Sequence, residues 1–166
     1  MKDIQHFFKM GMDRVIPELK AMPDAGFILN LGSGNKVIPG TINLDLPTWN
    51  ADTDHIPYAD ETVAGIYAFH FLEHIKEPIK MLAEMQRVLV PGGIVNICVP
   101  YYTSQMAHHD LDHKHWYTEA TWQNTFNNPY YDKAKIVEWK FDIGFNLICG
   151  IVERNTCLLT QLIKQA

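Results

Sequence analysis

Two short stretches constrain this chain most: Phe27-Ile-Leu-Asn-Leu-Gly-Ser-Gly-Asn35 and, a few residues on, Thr41-Ile-Asn-Leu-Asp45. The first reads as a buried strand running into a glycine turn, the second as a strand ending in a carboxylate near Leu46. Glycine lacks a Cβ, so a backbone can turn tightly there and approach a ligand closely. A carboxylate at the tip of the neighbouring strand can accept from both hydroxyls of a ribose. The pair describes a pocket for a nucleoside-bearing ligand. The alternative is an ordinary strand-ending turn at Gly32–Gly34 and a capping or turn-starting role for Asp45.

The rest of the chain alternates in kind. Residues from about 3 to 21 carry apolar positions at helical spacing, interrupted near Gly11, and Pro23 to Gly26 end that run. Residues 47–62 are polar and read as loop. Ala64–Phe69 fits a buried strand, and Glu77–Leu89 an amphipathic helix with one apolar stripe. Val90-Pro-Gly-Gly93 stops the helix, since proline cannot continue it and glycine accepts a left-handed cap. Ile94–Val99 is a further buried strand, followed by a histidine-rich segment and a helix from Thr118 to about Phe126. Two last strands, near 134–142 and 145–153, meet at Asp142-Ile-Gly144. Strands alternating with helices predict a single α/β domain of the doubly wound, Rossmann-like class. Its sheet is mainly parallel, of a seven-stranded type, with an antiparallel pair at the C-terminal end.

The 166 residues suffice for one domain with a real core. A net charge of -5 argues against broad nucleic-acid binding, which needs clustered Lys and Arg. No apolar run reaches the roughly 20 residues of a membrane span, and the first residues do not read as a signal peptide. Cys98, Cys149 and Cys157 lack Cys-x-x-Cys spacing, so they indicate neither a disulfide framework nor a zinc knuckle. A reducing cytoplasm is the expected compartment.

Several motifs now fall into order: Leu31-Gly-Ser-Gly34, Asn43-Leu-Asp45, Ile56-Pro-Tyr-Ala-Asp60, Ile66-Tyr-Ala-Phe-His-Phe-Leu-Glu-His-Ile75 and Glu84-Met-Gln-Arg-Val-Leu-Val-Pro-Gly-Gly93. Together they resemble class I S-adenosylmethionine-dependent methyltransferases, in particular the small type 11-like group. The resemblance covers about residues 27–100 and, more loosely, Asp112–Thr118. It implies S-adenosylmethionine as cofactor and S-adenosylhomocysteine as product. It places Gly32, Ser33 and Gly34 under the methionine part, Asp45 with Leu46 at the ribose, Asp52 at the adenine amino group, the Thr53 backbone beside the ring, and Phe69 and His70 below the sulfonium. Two departures stand out. The link Asn35–Gly40 is too short for the usual first crossover helix, and Ala64 replaces the Asp usual at the start of that strand.

On this reading residues 1–25 form a helical lid, with Phe7 and Phe8 over the cofactor. Residues 26–100 form the cofactor-binding core, and 101–166 a substrate-facing loop with the terminal strands. His108–His115 is dense in titratable groups. A surface loop, a metal site and a substrate-facing loop are all open readings, although the spacing matches no closed zinc site and no metal is assigned. His113 is the first candidate general base, with His109 and His70 as alternates. Tyr101, Tyr102, Trp116 and Tyr117 could wall the acceptor or simply pack.

The expected reaction is methyl transfer to an O or N nucleophile of a small molecule, sugar or nucleotide-sugar, with a homodimer among the assemblies the sequence allows. The alternatives are a non-catalytic cofactor-binding regulatory module and a metal-dependent hydrolase built on His108–His115. A nicotinamide oxidoreductase is disfavoured, because Gly32-Ser-Gly-Asn35 lacks the third glycine of that fingerprint.

Overall fold

A computed structural model describes residues 21–118, 120–122, 139–140, 151–152 and 157–164. Of the expected helical lid over 1–25, residues 1–20, Phe7 and Phe8 among them, lie outside these residues, as does the Asp142–Gly144 junction, while residues 21–25 are not helical.

The strands are β1 (Phe27–Leu31), β2 (Ile42–Leu44), β3 (Val63–Phe69), β4 (Leu89–Pro100), β5 (Trp139–Lys140), β6 (Ile151–Val152) and β7 (Cys157–Lys164). They form one sheet in the order β2-β1-β3-β4-β7-β5, with β6 also on β7. Strands β1 to β4 pair in parallel. β7 runs antiparallel to β4 on one side and to β5 and β6 on the other. The expected class is therefore observed, with the antiparallel part extending past the expected pair.

β7 was not foreseen. Its run Cys157-Leu-Leu-Thr-Gln-Leu-Ile-Lys164 mixes leucines with three polar side chains, and the pairing partners of the polar ones decide the outcome. Asn96 and Gln161 face each other across β4 and β7, and the Gln161 amide donates to Asn96 Oδ1 at 2.9 Å. Lys164, buried, donates to Glu61 Oε1 at 3.0 Å and to Leu89 O at 2.9 Å. Gln161 and Lys164 thus each have partners, as burial demands, while the buried Thr160 hydroxyl has none.

β1 and β2 lie side by side although residues 32–41 join them without a helix. Asn30 braces this short link from inside, its Nδ2 donating to Lys36 O at 3.0 Å and to Asn43 Oδ1 at 2.8 Å. The main helix, α1 (Pro78–Val88), starts on a proline, whose fixed φ suits the first turn. It buries Met81, Leu82, Met85 and Val88, which pack into the core with Leu29, Leu31, Ile66, Ala68, Val95 and Ile97. Its bounds match the expected helix. The strand after it begins earlier than expected, at Leu89. Val90–Gly93 does end the helix, but it is also carried in β4, where the register with β3 shifts between Val63 and Gly65.

Past β4, a short helix α2 (Gln105–His108) is capped by Ser104, whose Oγ accepts from Ala107 N at 3.3 Å. The chain returns so that Tyr101 bridges Tyr117. Residues 120–122 are helical, within the expected Thr118–Phe126 helix.

Candidate functional site

Because β1 pairs with β2 on one side and β3 on the other, the sheet order reverses at β1, and a crevice opens beyond the carboxyl ends of these strands. Three loops meet there: Gly32–Gly34 after β1, Asp45 after β2, and His70–Phe71 after β3. Gly32 N donates to Leu44 O at 2.9 Å, which ties the glycine turn to the second strand. Both glycines have positive φ, +64° at Gly32 and +49° at Gly34, but their surroundings differ. A Cβ on Gly32 would meet the Phe71 ring at 2.4 Å, whereas one on Gly34 would meet nothing within 4 Å. Gly32 is thus needed for loop-to-loop packing, and Gly34 borders open space.

Asp45 sits beside that space. Its carboxylate accepts from the Gly34 N–H and, at 2.7 Å, from the Leu46 N–H, so both oxygens are oriented while lone pairs remain for a ligand. Its carbonyl also starts a turn, accepting from Thr48 N and Trp49 N at 3.1 and 3.0 Å. Asp45 therefore starts a turn while its carboxylate borders the space beside Gly34. An adenosyl group fits this arrangement: an oriented carboxylate stands where a ribose diol would lie, next to a glycine whose missing side chain leaves room. Ser33 is buried in the same turn, and Leu46 is exposed.

The residues expected at the adenine are engaged differently. Asp52 Oδ1 accepts from Lys76 N at 2.8 Å, with the Lys76 ammonium 3.8 Å from Oδ2. Thr53 N donates to Asn50 O at 3.1 Å. A cleft of about 220 Å³ lies alongside, lined by Asp52, Thr53, Asp54, His55, Lys80 and Glu84 among others. Arg87 and Glu84 hold the next stretch of this loop. Arg87 donates to Ile56 O, Tyr58 O and Asp60, and pairs through Nε and Nη2 with Glu84, which accepts from Ile56 N. Burial alone would raise the Glu84 carboxyl, but the Arg87, His55 and Ile56 bonds outweigh it and hold it below its ordinary value.

At the end of β3 the chemistry concentrates. Phe69 is half-buried, 5.4 Å from the Tyr67 ring. His70 has φ +50°, an uncommon conformation for a residue with a Cβ. Its Nδ1 lies 3.3 Å from Glu73 Oε1, and its Nε2 lies 3.8 Å from Cys98 Sγ and 3.9 Å from Cys157 Sγ. The Cys157 contact first, then the Glu73 carboxylate, push the imidazole up to about 9 against the opposing effect of burial. Glu73 lies in the first turn of a 3-10 helix, Leu72–His74, is 1% exposed, and neither carboxylate oxygen has a hydrogen bond. The signal available was its position between His70 and His74.

The histidine-rich segment does not converge on one centre. His108 bonds Tyr102 O, His109 bonds Gln105 O and His115 bonds Lys76 O, each through one ring nitrogen. His113 alone reaches the end of β3, forming with Glu73 and His74 a group whose potential ligand atoms lie within 4.8 Å of one another. Its Nδ1 faces Ala107 O at 3.2 Å, its Nε2 is 4.0 Å from Asp110 Oδ2, and its side chain is 7% exposed. Of the four aromatics, Tyr117 is core, stacked on Trp122 and bonded to Leu72 O at 3.1 Å. Tyr102 and Trp116 are exposed, and Tyr101 is partly buried.

Comparison with known proteins agrees with this geometry. Residues 33–97 match the family described as a methyltransferase domain. Three solved structures share the fold. The Haloferax volcanii chain solved in complex with the Trm112 methyltransferase activator is 14% identical, with TM-score 0.56, covering 100% of this chain and 92% of that one. An S-adenosylmethionine-dependent methyltransferase from Mesorhizobium loti is 12% identical at TM-score 0.56, covering 87% and 94%. The [4+2]-cyclase SpnF is 11% identical at TM-score 0.57, covering 97% and 80%. A search of curated protein sequences gives no match. At these identities the structural likeness speaks for the fold alone, and a cyclase among the neighbours shows that one scaffold serves more than one chemistry.

Proposed function

We propose that this chain, a class I S-adenosylmethionine-dependent methyltransferase of the type 11 kind, methylates an oxygen or nitrogen nucleophile of a small-molecule or sugar-type acceptor in the cytoplasm. When bound, the cofactor supplies an electrophilic methyl group. The observation that carries the reading is the Asp45 carboxylate, held by the Gly34 and Leu46 N–H groups beside the open space at Gly34. Asp45 would hold the ribose, Gly32–Gly34 would pass beneath the methionine portion, and Leu46 would border it. Asp52 would serve the adenine amino group while keeping its bond to Lys76, with Thr53 beside the ring. Phe69 and His70 would line the methyl end.

For the base, His113 is preferred over His109 and His70. It lies beside Glu73 and His74 at the end of β3, His109 is turned onto its own helix, and the His70 ring is engaged by Glu73 on one side and by the Cys98 and Cys157 sulfurs on the other. The net charge of -5 supports a small acceptor over a polyanion.

The test combines calorimetry with S-adenosylhomocysteine and transfer of labelled methyl groups to panels of hydroxyl and amine acceptors. Tight binding with turnover on at least one panel is expected. Asp45→Ala should weaken binding by about 1–3 kcal/mol, the scale for losing charge-assisted hydrogen bonds. Binding without turnover on any acceptor would overturn the catalytic reading, and unchanged affinity in the variant would remove Asp45 from the site.

A further inference from the structure

The strongest unassigned feature lies where β3, β4 and β7 end together. Cys98 faces Leu159 and Cys157 faces Pro100 in the β4–β7 register, so the two cysteines sit diagonally across an antiparallel pair, both buried thiols. His70 points its Nε2 at both sulfurs, at 3.8 and 3.9 Å. The three potential ligand atoms all lie within 4.8 Å of one another. A tetrahedral zinc, with Zn–N of about 2.0–2.1 Å and Zn–S of about 2.3 Å, would set nitrogen and sulfur about 3.6 Å apart. The observed distances need only a small inward adjustment.

Two further observations point the same way. Glu73 Oε1 stands behind the imidazole, 3.3 Å from Nδ1, and the carboxylate is buried without a hydrogen bond. A carboxylate behind a ligating histidine fixes its tautomer and strengthens it as a donor. His70 also adopts its left-handed backbone with a hydrogen bond from its N–H to Cys98 O at 2.8 Å, so strand β4 holds the strained residue in place. Backbone strain of this kind persists where surrounding structure imposes it, often at functional sites.

We propose that His70 Nε2, Cys98 Sγ and Cys157 Sγ form a binding site for a zinc-class divalent ion, with Glu73 orienting the imidazole. Two soft sulfurs and one imidazole select such an ion over magnesium or calcium, which prefer oxygen. Three protein ligands leave a fourth position for water or another ligand, and the His70 side chain is 32% exposed, so the site has a route to solvent. The site lies at the end of β3, on the same crevice as Asp45, and takes no ligand from His108–His115.

The experiment uses the full chain, stripped with a chelator under reducing conditions and titrated with cobalt(II) as an optical stand-in for zinc. One cobalt per chain is expected, with the intense visible bands of a tetrahedral ion and a sulfur-to-cobalt charge-transfer band, both displaced by zinc. His70→Gln, at a partly exposed position, should weaken binding at least tenfold. Cys98→Ser and Cys157→Ser should each diminish the charge-transfer band, and Cys149→Ser should leave it intact. Glu73→Gln should weaken binding about 10- to 100-fold while preserving the band. Absence of the band in the folded native chain would overturn the assignment. So would a spectrum that survives in His70→Gln, one abolished by His74→Gln but not by Cys98→Ser, or a Cys98–Cys157 disulfide in protein purified without reductant. These readouts do not require methyl transfer, so a failure here is distinguishable from a failure of the proposed reaction.

Discussion

Arg87→Ala is the most informative single perturbation of the frame around the crevice. The guanidinium donates to the carbonyls of Ile56 and Tyr58 at 3.0 and 2.9 Å and to Glu84 at 2.9 and 3.0 Å, with Asp60 at 2.7 Å. Its side chain is 29% exposed and that of Glu84 18%, so these groups are only partly screened. The Asp60 bond contributes little, because Asp60 is well exposed. Hydrogen bonds to a charged donor are worth about 1.5–3 kcal/mol when desolvated. Some of the released carbonyls will find water, so a net loss of about 2–4 kcal/mol is expected.

For a chain of this length that corresponds to a fall in Tm of about 5–15 °C, measured by scanning calorimetry. Arg87→Lys should recover only part, since an ammonium cannot serve both carbonyls and the carboxylate together. The acid limb of the stability curve gives a second reading. Glu84 is held below the ordinary glutamate value, so it adds stability that is present above that value and lost as pH falls through its folded-state value. Arg87→Ala should flatten this acid-side loss. A Tm within about 2 °C of the parent, with an unchanged acid limb, would refute the account of Arg87 as the clamp on residues 56–60.

The two glycines of the turn should separate folding from binding. Gly34→Ala places a Cβ in open space at a left-handed position, costing about 1–2 kcal/mol of stability. It should weaken S-adenosylhomocysteine at least tenfold in calorimetry. Gly32→Ala drives a Cβ into Phe71 at 2.4 Å and should lower Tm more than Gly34→Ala does; the reverse order would contradict the packing described. His113→Ala should lower turnover by about 10²- to 10⁴-fold with cofactor affinity unchanged, and parallel losses in both would mark a structural role.

The parallel half of the sheet was legible because its signals are local. Gly32, Gly34 and Asp45 announce the crevice within twenty residues, and the stripe on α1 fixes its facing side. What escaped depends on partners far along the chain. Glu73 looks like an ordinary helix-start acid until the fold buries it beside His70. Cys98 and Cys157 show no metal-like spacing because antiparallel pairing of β4 with β7, not proximity in sequence, brings them together. β7 was obscured by Gln161 and Lys164, whose partners Asn96, Glu61 and Leu89 lie far away in the chain. The histidine-rich stretch misled in the opposite direction: its density suggested one centre, but most of its rings are tied to separate backbone carbonyls.

The position of β7 within the sheet has a consequence for biosynthesis. Residues 27–100 emerge from the ribosome well before 157–164, so the nascent chain holds four aligned strands with one long flank of β4 still lacking its neighbour. Such an unpaired, apolar border invites association with other chains. Completion of the fold must wait for the late-made segment to slot in. Any truncation upstream of Cys157 would leave that border permanently bare.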